Sequence, residues 1–149
     1  MKYDDASWHY GGDSPTDQPK EHGGTHIGIF LRWCFMQGWA GEIQLDEEPE
    51  LVELVCRGEM TGTEFLFKLC DGKLTDEDLS DEGNAFAADC YGTDGYYLED
   101  YEKTFDDPMY KFSERDVDFL IFTELLDARK ASGNLKKPKD RLCIGCIFQ

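Results

Sequence analysis

Apolar residues along this chain recur mostly at spacings of three and four. In "HIGIFLRWCFMQGWA", residues 26–40, Ile27, Phe30, Leu31 and Cys34 fall at the spacing of one helical face. Ile29, Trp33 and Phe35 make the other faces apolar as well, which predicts a helix at the centre of the fold. Thr25 stands where a hydroxyl would cap that helix, and Gly38 and Gly41 stand where it would end. Pro49 opens a second pattern, with Leu51, Leu54 and Val55 as its stripe and Gly58 as its stop. Thr61 or Thr63 caps a third, in which Phe65, Leu66, Leu69 and Cys70 point inward and Gly72 closes. Thr75 to Asp78 fits a capping box and predicts a helix with Leu79, Phe86 and Cys90 inward.

Asp94-Gly95 signals a turn. A short helix follows, with Tyr97, Leu98, Tyr101 and Phe105 on one side, and Pro108 breaks its pattern. The last long helix is expected to start at Ser113 and to stop at Gly133, with Val117, Leu120, Ile121, Leu125 and Leu126 as its core stripe. Alternation typical of strands is scarce; "GEIQL" at 41–45 is one candidate strand. Residues 1–24 carry Gly11, Gly12, Pro15, Pro19, Gly23 and Gly24, the chemistry of loops with one short extended piece. There, Trp8 and Tyr10 alternate with Ser7 and His9, and one face of that piece is expected to press on the central helix, with Asp4, Asp5 and Asp13 holding the flanking turns. The pattern predicts a mainly α fold, with α+β as the variant. It is a compact single domain of five to six helices over residues 1–135, around a central helix 26–40, with a loosely packed tail over 136–149.

Composition sharpens this picture. The 149 residues suit one domain, and 40% hydrophobic with 13% aromatic residues suffices for a core without staples. The 32 acidic and 15 basic residues give a net charge of −17. Such a surface repels nucleic acid and anionic membranes and attracts basic proteins or peptides. Met1-Lys2 leads into Asp4 and Asp5 with no apolar run, so no signal peptide is expected, and a cytoplasmic location is. Cys34, Cys56, Cys70 and Cys90 lie in apolar helical patterns and read as reduced thiols.

Four segments, "KYDDASWHYGGD", "THIGIFLRW", "CDGKLTDEDLSDEGNAFAADCY" and "YLEDYEKTF", resemble, in that order, a family of small bacterial proteins of unknown function. The likeness covers about residues 2–106. It implies a bacterial, cytosolic protein and carries no activity, cofactor or catalytic residue with it.

The chemistry-bearing residues fall into three groups. His9, His26 and Asp13 offer nitrogen and oxygen ligands for a metal or a small hydrolytic centre, although H-E-x-x-H is absent and Gly23-Gly24 opposes a shared helix for His22 and His26. Asp76, Glu77, Asp78, Asp81 and Glu82 crowd seven residues but miss the calcium-loop pattern; they suit a helix start and a solvated acidic face. Cys146-Ile147-Phe148-Gln149 fits a C-a-a-X box for prenylation, with Cys143 and a basic flank beside it, in a protein delivered to a host cell. No nucleophile elbow, Walker loop or G-x-G-x-x-G is present, and no cofactor is expected.

The charge, the tyrosines beside acids and the missing catalytic motifs favour a binding module over an enzyme. The expected partner is a basic protein, masked as an immunity protein or antitoxin masks a cationic groove. The expected contacts are Asp76, Glu77, Asp78, Asp81, Glu82, Tyr96, Tyr97, Glu99, Asp100, Tyr101 and Glu102.

Overall fold

A computed structural model describes residues 2–9, 20–92, 94–105 and 113–138. Among them the chain forms seven α-helices and one two-stranded sheet, a mainly α fold. The central helix α1 spans Thr25–Met36. Ile27, Ile29, Phe30, Leu31, Trp33, Cys34 and Phe35 are all buried on it, as a helix apolar on every side requires. Thr25 lies inside its first turn, with Gly24 at the cap position, and Trp39 and Ala40 lie beyond its end.

The rings of α1 gather the remaining elements. Phe30 meets Phe86, Tyr91 and Tyr97, and Trp33 meets Trp39 and Phe86. Tyr97 and Tyr101 pass the cluster on to Phe122. These tilted, edge-on and stacked contacts are favourable pairings of aromatic quadrupoles, added to the apolar area they remove from water.

"GEIQL" is helical, not a strand: α2 spans Glu42–Glu47. Five alternating residues do not distinguish a strand from a short helix, and Gln44 turns inward while Ile43 and Leu45 face solvent. α3 (Pro49–Arg57) begins on its proline and ends at Gly58, whose φ of 79° is left-handed. Val52 and Val55 are its buried residues; Leu51 and Leu54 are half-buried. α4 (Gly62–Leu69) carries a capping box: the Thr61 hydroxyl accepts from the Glu64 amide, and Glu64 accepts from the Thr61 amide. The Thr61 amide, with the Thr61 hydroxyl and Arg115, holds the Glu64 carboxyl below its ordinary range against the upward push of burial.

β1 (Lys2–Asp5) pairs antiparallel with β2 (Lys73–Thr75). A 3-10 turn at Ala6–His9 follows β1. Trp8 is 57% exposed there and does not press on α1; the Lys2 ammonium sits 5.1 Å above its ring. The Tyr10 side of that expectation and Asp13 lie outside the described residues. Thr75 does form its capping box with Asp78, but it heads a 3-10 turn at Asp76–Asp78; α5 (Asp81–Cys90) starts afresh with Ser80 as its cap.

α6 spans Tyr97–Thr104 and α7 spans Phe119–Ser132. Asp118 caps α7 in place of the expected Ser113. The helix buries Phe119, Phe122, Thr123 and Leu126; of the expected stripe Leu126 is buried, Val117 and Leu125 are half-buried, and Leu120 and Ile121 are exposed. Both faces are apolar, and the one with two phenylalanines removes more area from water. Residues 136 and 137, expected to begin a loose tail, are tied down: Lys136 bridges to Gly95, and the Lys137 amide donates to the Asp94 carbonyl.

α1 and α4 cross with almost no gap. A Cβ on Gly62 would stand 1.9 Å from the Gly28 carbonyl oxygen, and one on Gly28 would stand 2.3 Å from the Thr63 nitrogen. Glu114 closes this crossing, accepting from the Gly62 and Thr63 amides and from the Thr63 hydroxyl. Burial raises its pKa, and those donors pull it back. Arg32 lies 3.9 Å from the same carboxylate, with its guanidinium stacked 3.7 Å over Phe119.

Two outcomes follow. Gly62→Ala and Gly28→Ala each lose about 2–4 kcal/mol in urea unfolding, because backbone has to move to admit one methyl group. Glu64→Gln loses about 0.5–1 kcal/mol at pH 6 relative to the parent. A carboxylate held below its unfolded value adds stability above the unfolded titration range and loses it as pH falls through the folded value. The gap between the two proteins therefore narrows as pH falls through the folded value.

Candidate functional site

Between α2, the turn at Asp76–Asp78 and the start of α5 lies a groove of about 550 Å³. It is built by two backbone ties and one side-chain tie. The Gly41 amide donates to the Asp78 carbonyl, the Ser80 amide donates to the Trp39 carbonyl, and Asn84 donates its side-chain amide to the carbonyls of Asp76 and Leu79. Tyr3 of β1 donates to the Asn84 side-chain oxygen at 2.7 Å and fixes that amide from behind. Only glycine fits at 41, since a Cβ there would stand 2.3 Å from the Glu77 carbonyl oxygen.

Glu42, Asp76, Glu77, Asp81 and Glu82 line this groove, and all five are exposed. Among the described residues, no basic side chain lines it. Ile43, 46% exposed, adds an apolar contact at its edge. Asp81 and Glu82 occupy the first turn of α5, where unpaired amides favour negative charge, so the fold holds these carboxylates in place at little cost. The site can therefore attract and hold a cationic side chain or segment.

Asp78 belongs to the same run of acids but points inward. One of its carboxylate oxygens accepts from the Gln44 side chain at 2.7 Å and from the Cys70 thiol; the other accepts from the Thr75 amide. Burial raises its pKa above the ordinary carboxylate range, against the downward pull of the Thr75 amide and of Gln44. It ties α2 to the turn beneath the groove, is buried, and does not line the groove.

The α6 residues do not join this groove. Tyr97 and Tyr101 are core residues, fully buried, and the Tyr97 hydroxyl donates to the His26 carbonyl. Asp100 is buried in a two-pronged pair with Arg129, at 2.9 and 3.0 Å. Tyr96 is half-buried under the Arg129 guanidinium. Glu99 pairs with Lys103 and Lys137, which hold its carboxyl below the ordinary range. Glu102 is exposed. The apolar stripe that marked α6 as a helix also placed Tyr97 and Tyr101 inside it, and that signal should have removed them from any surface list.

His26 is buried, and its Nε2 lies 3.0 Å from an Asp4 carboxylate oxygen that also accepts from the Tyr91 hydroxyl. Asp5 turns the chain out of β1, accepting from the Ser7 amide and hydroxyl and pairing with Lys2. Burial pushes the Asp5 carboxyl up, but Lys2 and Ser7 outweigh it and Asp5 titrates below the ordinary range. "KYDD" thus serves the interior and the turn. Among the described residues no group of three or more His, Cys, Asp and Glu is placed to hold a metal ion. The His9 side chain, Asp13 and Cys146 lie outside the described residues. Cys34, Cys56, Cys70 and Cys90 are free thiols. Burial raises all four, Cys90 to about 12, so thiolate chemistry is disfavoured there. No described helix is long and apolar enough to cross a membrane.

Sequence reasoning missed Glu42, Ile43 and Asn84. Reading 41–45 as a strand placed Glu42 and Ile43 on opposite faces, whereas a helix brings both to the groove.

Asp78→Ala is expected to lose about 2–3 kcal/mol in urea unfolding, since it leaves the Gln44 amide and the Thr75 N–H without acceptors. Asp81→Ala, on the exposed rim, loses under about 1 kcal/mol in the same measurement.

A family model described as a domain of unknown function, DUF7832, matches residues 2–114. No curated protein and no solved structure matches the chain. The chain belongs to the DUF7832 family.

Proposed function

We propose that this DUF7832 protein is a binding module of the bacterial cytosol that receives a basic segment of a partner protein in its acidic groove, as an immunity protein or antitoxin masks a cationic surface. The observation that carries this reading is the groove itself: five exposed acids line it, and among the described residues no basic side chain does. A net charge of −17 adds long-range attraction for a cationic partner. Ile43 offers the apolar contact that turns attraction into a seated complex. The buried ties below, Asp78 to Gln44 and Tyr3 to Asn84, hold the acids in place before a partner arrives, which lowers the entropy cost of binding.

The test is capture from source-cell lysate on immobilised protein, at low and at moderate salt, with mass spectrometry as readout. A basic protein is expected to be retained at low salt and lost as salt rises. Its affinity should fall at least about tenfold for the double variant Glu77→Lys with Glu82→Lys, whose circular dichroism stays that of the parent. A partner that binds the double variant as tightly as the parent, or no basic protein retained at low salt, overturns the proposal.

A further inference from the structure

Three hydroxyls stand where the sequence places helix caps: Thr25 for α1, Thr63 as the alternative to Thr61 for α4, and Ser113 for α7. None of them caps that helix; Gly24, Thr61 and Asp118 hold those positions. All three line one cavity of about 510 Å³, formed by the start of α1, by α4 and by the segment Ser113–Arg115. Among the described residues eleven polar or charged side chains are buried, and four of them, Thr25, Thr61, Thr63 and Glu114, line this cavity. That convergence of buried polar groups on a space of small-molecule size, roughly 300–1,000 Å³, marks a ligand site more than a packing gap.

The charges on its wall select the sign of the ligand. Both lining carboxylates are committed to the chain itself. Glu114 accepts from the Gly62 and Thr63 amides and the Thr63 hydroxyl, and Glu64 accepts from the Thr61 amide, the Thr61 hydroxyl and Arg115. Lys68 also lines the cavity, is exposed, and makes no ion pair among the described residues. Arg115 gives Glu64 one bond from a guanidinium with five donors. α1 starts at the same wall with no side-chain cap and no acid in its first turn. The unspent charge is therefore positive, in a chain whose net charge is −17. The apolar part of the wall is the half-buried Phe67 ring, which lies so close to Gly24 that a Cβ there would stand 2.7 Å from it.

We propose that this cavity binds a small organic carboxylate, its anionic group held by Lys68 and Arg115 and the threonine and serine hydroxyls, and its apolar body set against Phe67. A monoanion fits better than a phosphate dianion, because a second negative charge would face Glu64 and Glu114 across the same space. The site shares no lining residue with the acidic groove and attracts the opposite charge, so each stands or falls without the other.

The experiment is a titration of the full chain with benzoate, followed by amide chemical shifts in ¹H–¹⁵N spectra at constant ionic strength. Saturable shifts are expected at Thr25, across residues 61–68 and at 113–115, with a Kd of about 1 mM or tighter for so small a probe. Benzylamine, of the same shape and opposite charge, should leave those amides unmoved. Lys68→Glu replaces an exposed residue, keeps the circular dichroism of the parent, and should weaken benzoate at least about tenfold. Lys103→Glu makes the same charge change on α6, away from the cavity, and should bind benzoate as the parent does. No shifts at these amides up to about 20 mM benzoate, equal binding of benzylamine, or a Lys68→Glu protein that binds like the parent overturns the proposal. Phenyl phosphate bound more tightly than benzoate overturns the assignment to a carboxylate.

Discussion

Gly28 and Gly62 bring the backbones of α1 and α4 into direct contact, and the rest of the structure is arranged around that crossing. With no Cβ on either residue, α4 lies against α1 closely enough for its first amides to face the interior. Those amides need an acceptor, and Glu114 supplies it from 51 and 52 residues along the chain. The crossing therefore fixes α4 and draws in the segment leading to α7. Arg32, which bridges Glu114 and the Phe119 ring, is the one arginine or lysine on α1.

A second theme is how an acidic chain spends its carboxylates. Asp4, Asp78, Asp100 and Glu114 are buried, and each joins elements far apart in sequence. Asp4 gathers α1 and the end of α5 through His26 and Tyr91; Asp78 holds α2; Asp100 holds α7 through Arg129. A buried carboxylate accepts several hydrogen bonds at once, which suits a helical fold whose helix starts and turns leave N–H groups unpaired. The acids left outside include those that line the α2–α5 groove.

Much of the fold was legible in advance. The apolar-all-round segment at 27–35 is the core helix, and glycines 58 and 133 end helices at positive φ as C-terminal glycines do. Of the two caps considered at 61 and 63, Thr61 is the one that forms, and the capping box at Thr75 forms too, although it opens only a 3-10 turn because Ser80 caps the helix that follows. Less of the site was legible. Asp76, Glu77, Asp81 and Glu82 share the groove as neighbours in sequence must, but Glu42 arrives from 34 residues away, and Asp78 is turned inward by Gln44.

Local patterning by itself determined which segments are helical, where most of them stop, and that the surface is strongly acidic. Those features depend on side-chain period, backbone freedom and charge, all of which are local. Only the tertiary structure decided which face of α7 is buried, which tyrosines of α6 are hidden, and which acids meet across a groove. Each of those outcomes is a competition between contacts distant in sequence. Phe119 and Phe122 win over Leu120 and Ile121 through the rings that await them, and Asp100 is withdrawn from the surface because Arg129 lies within reach.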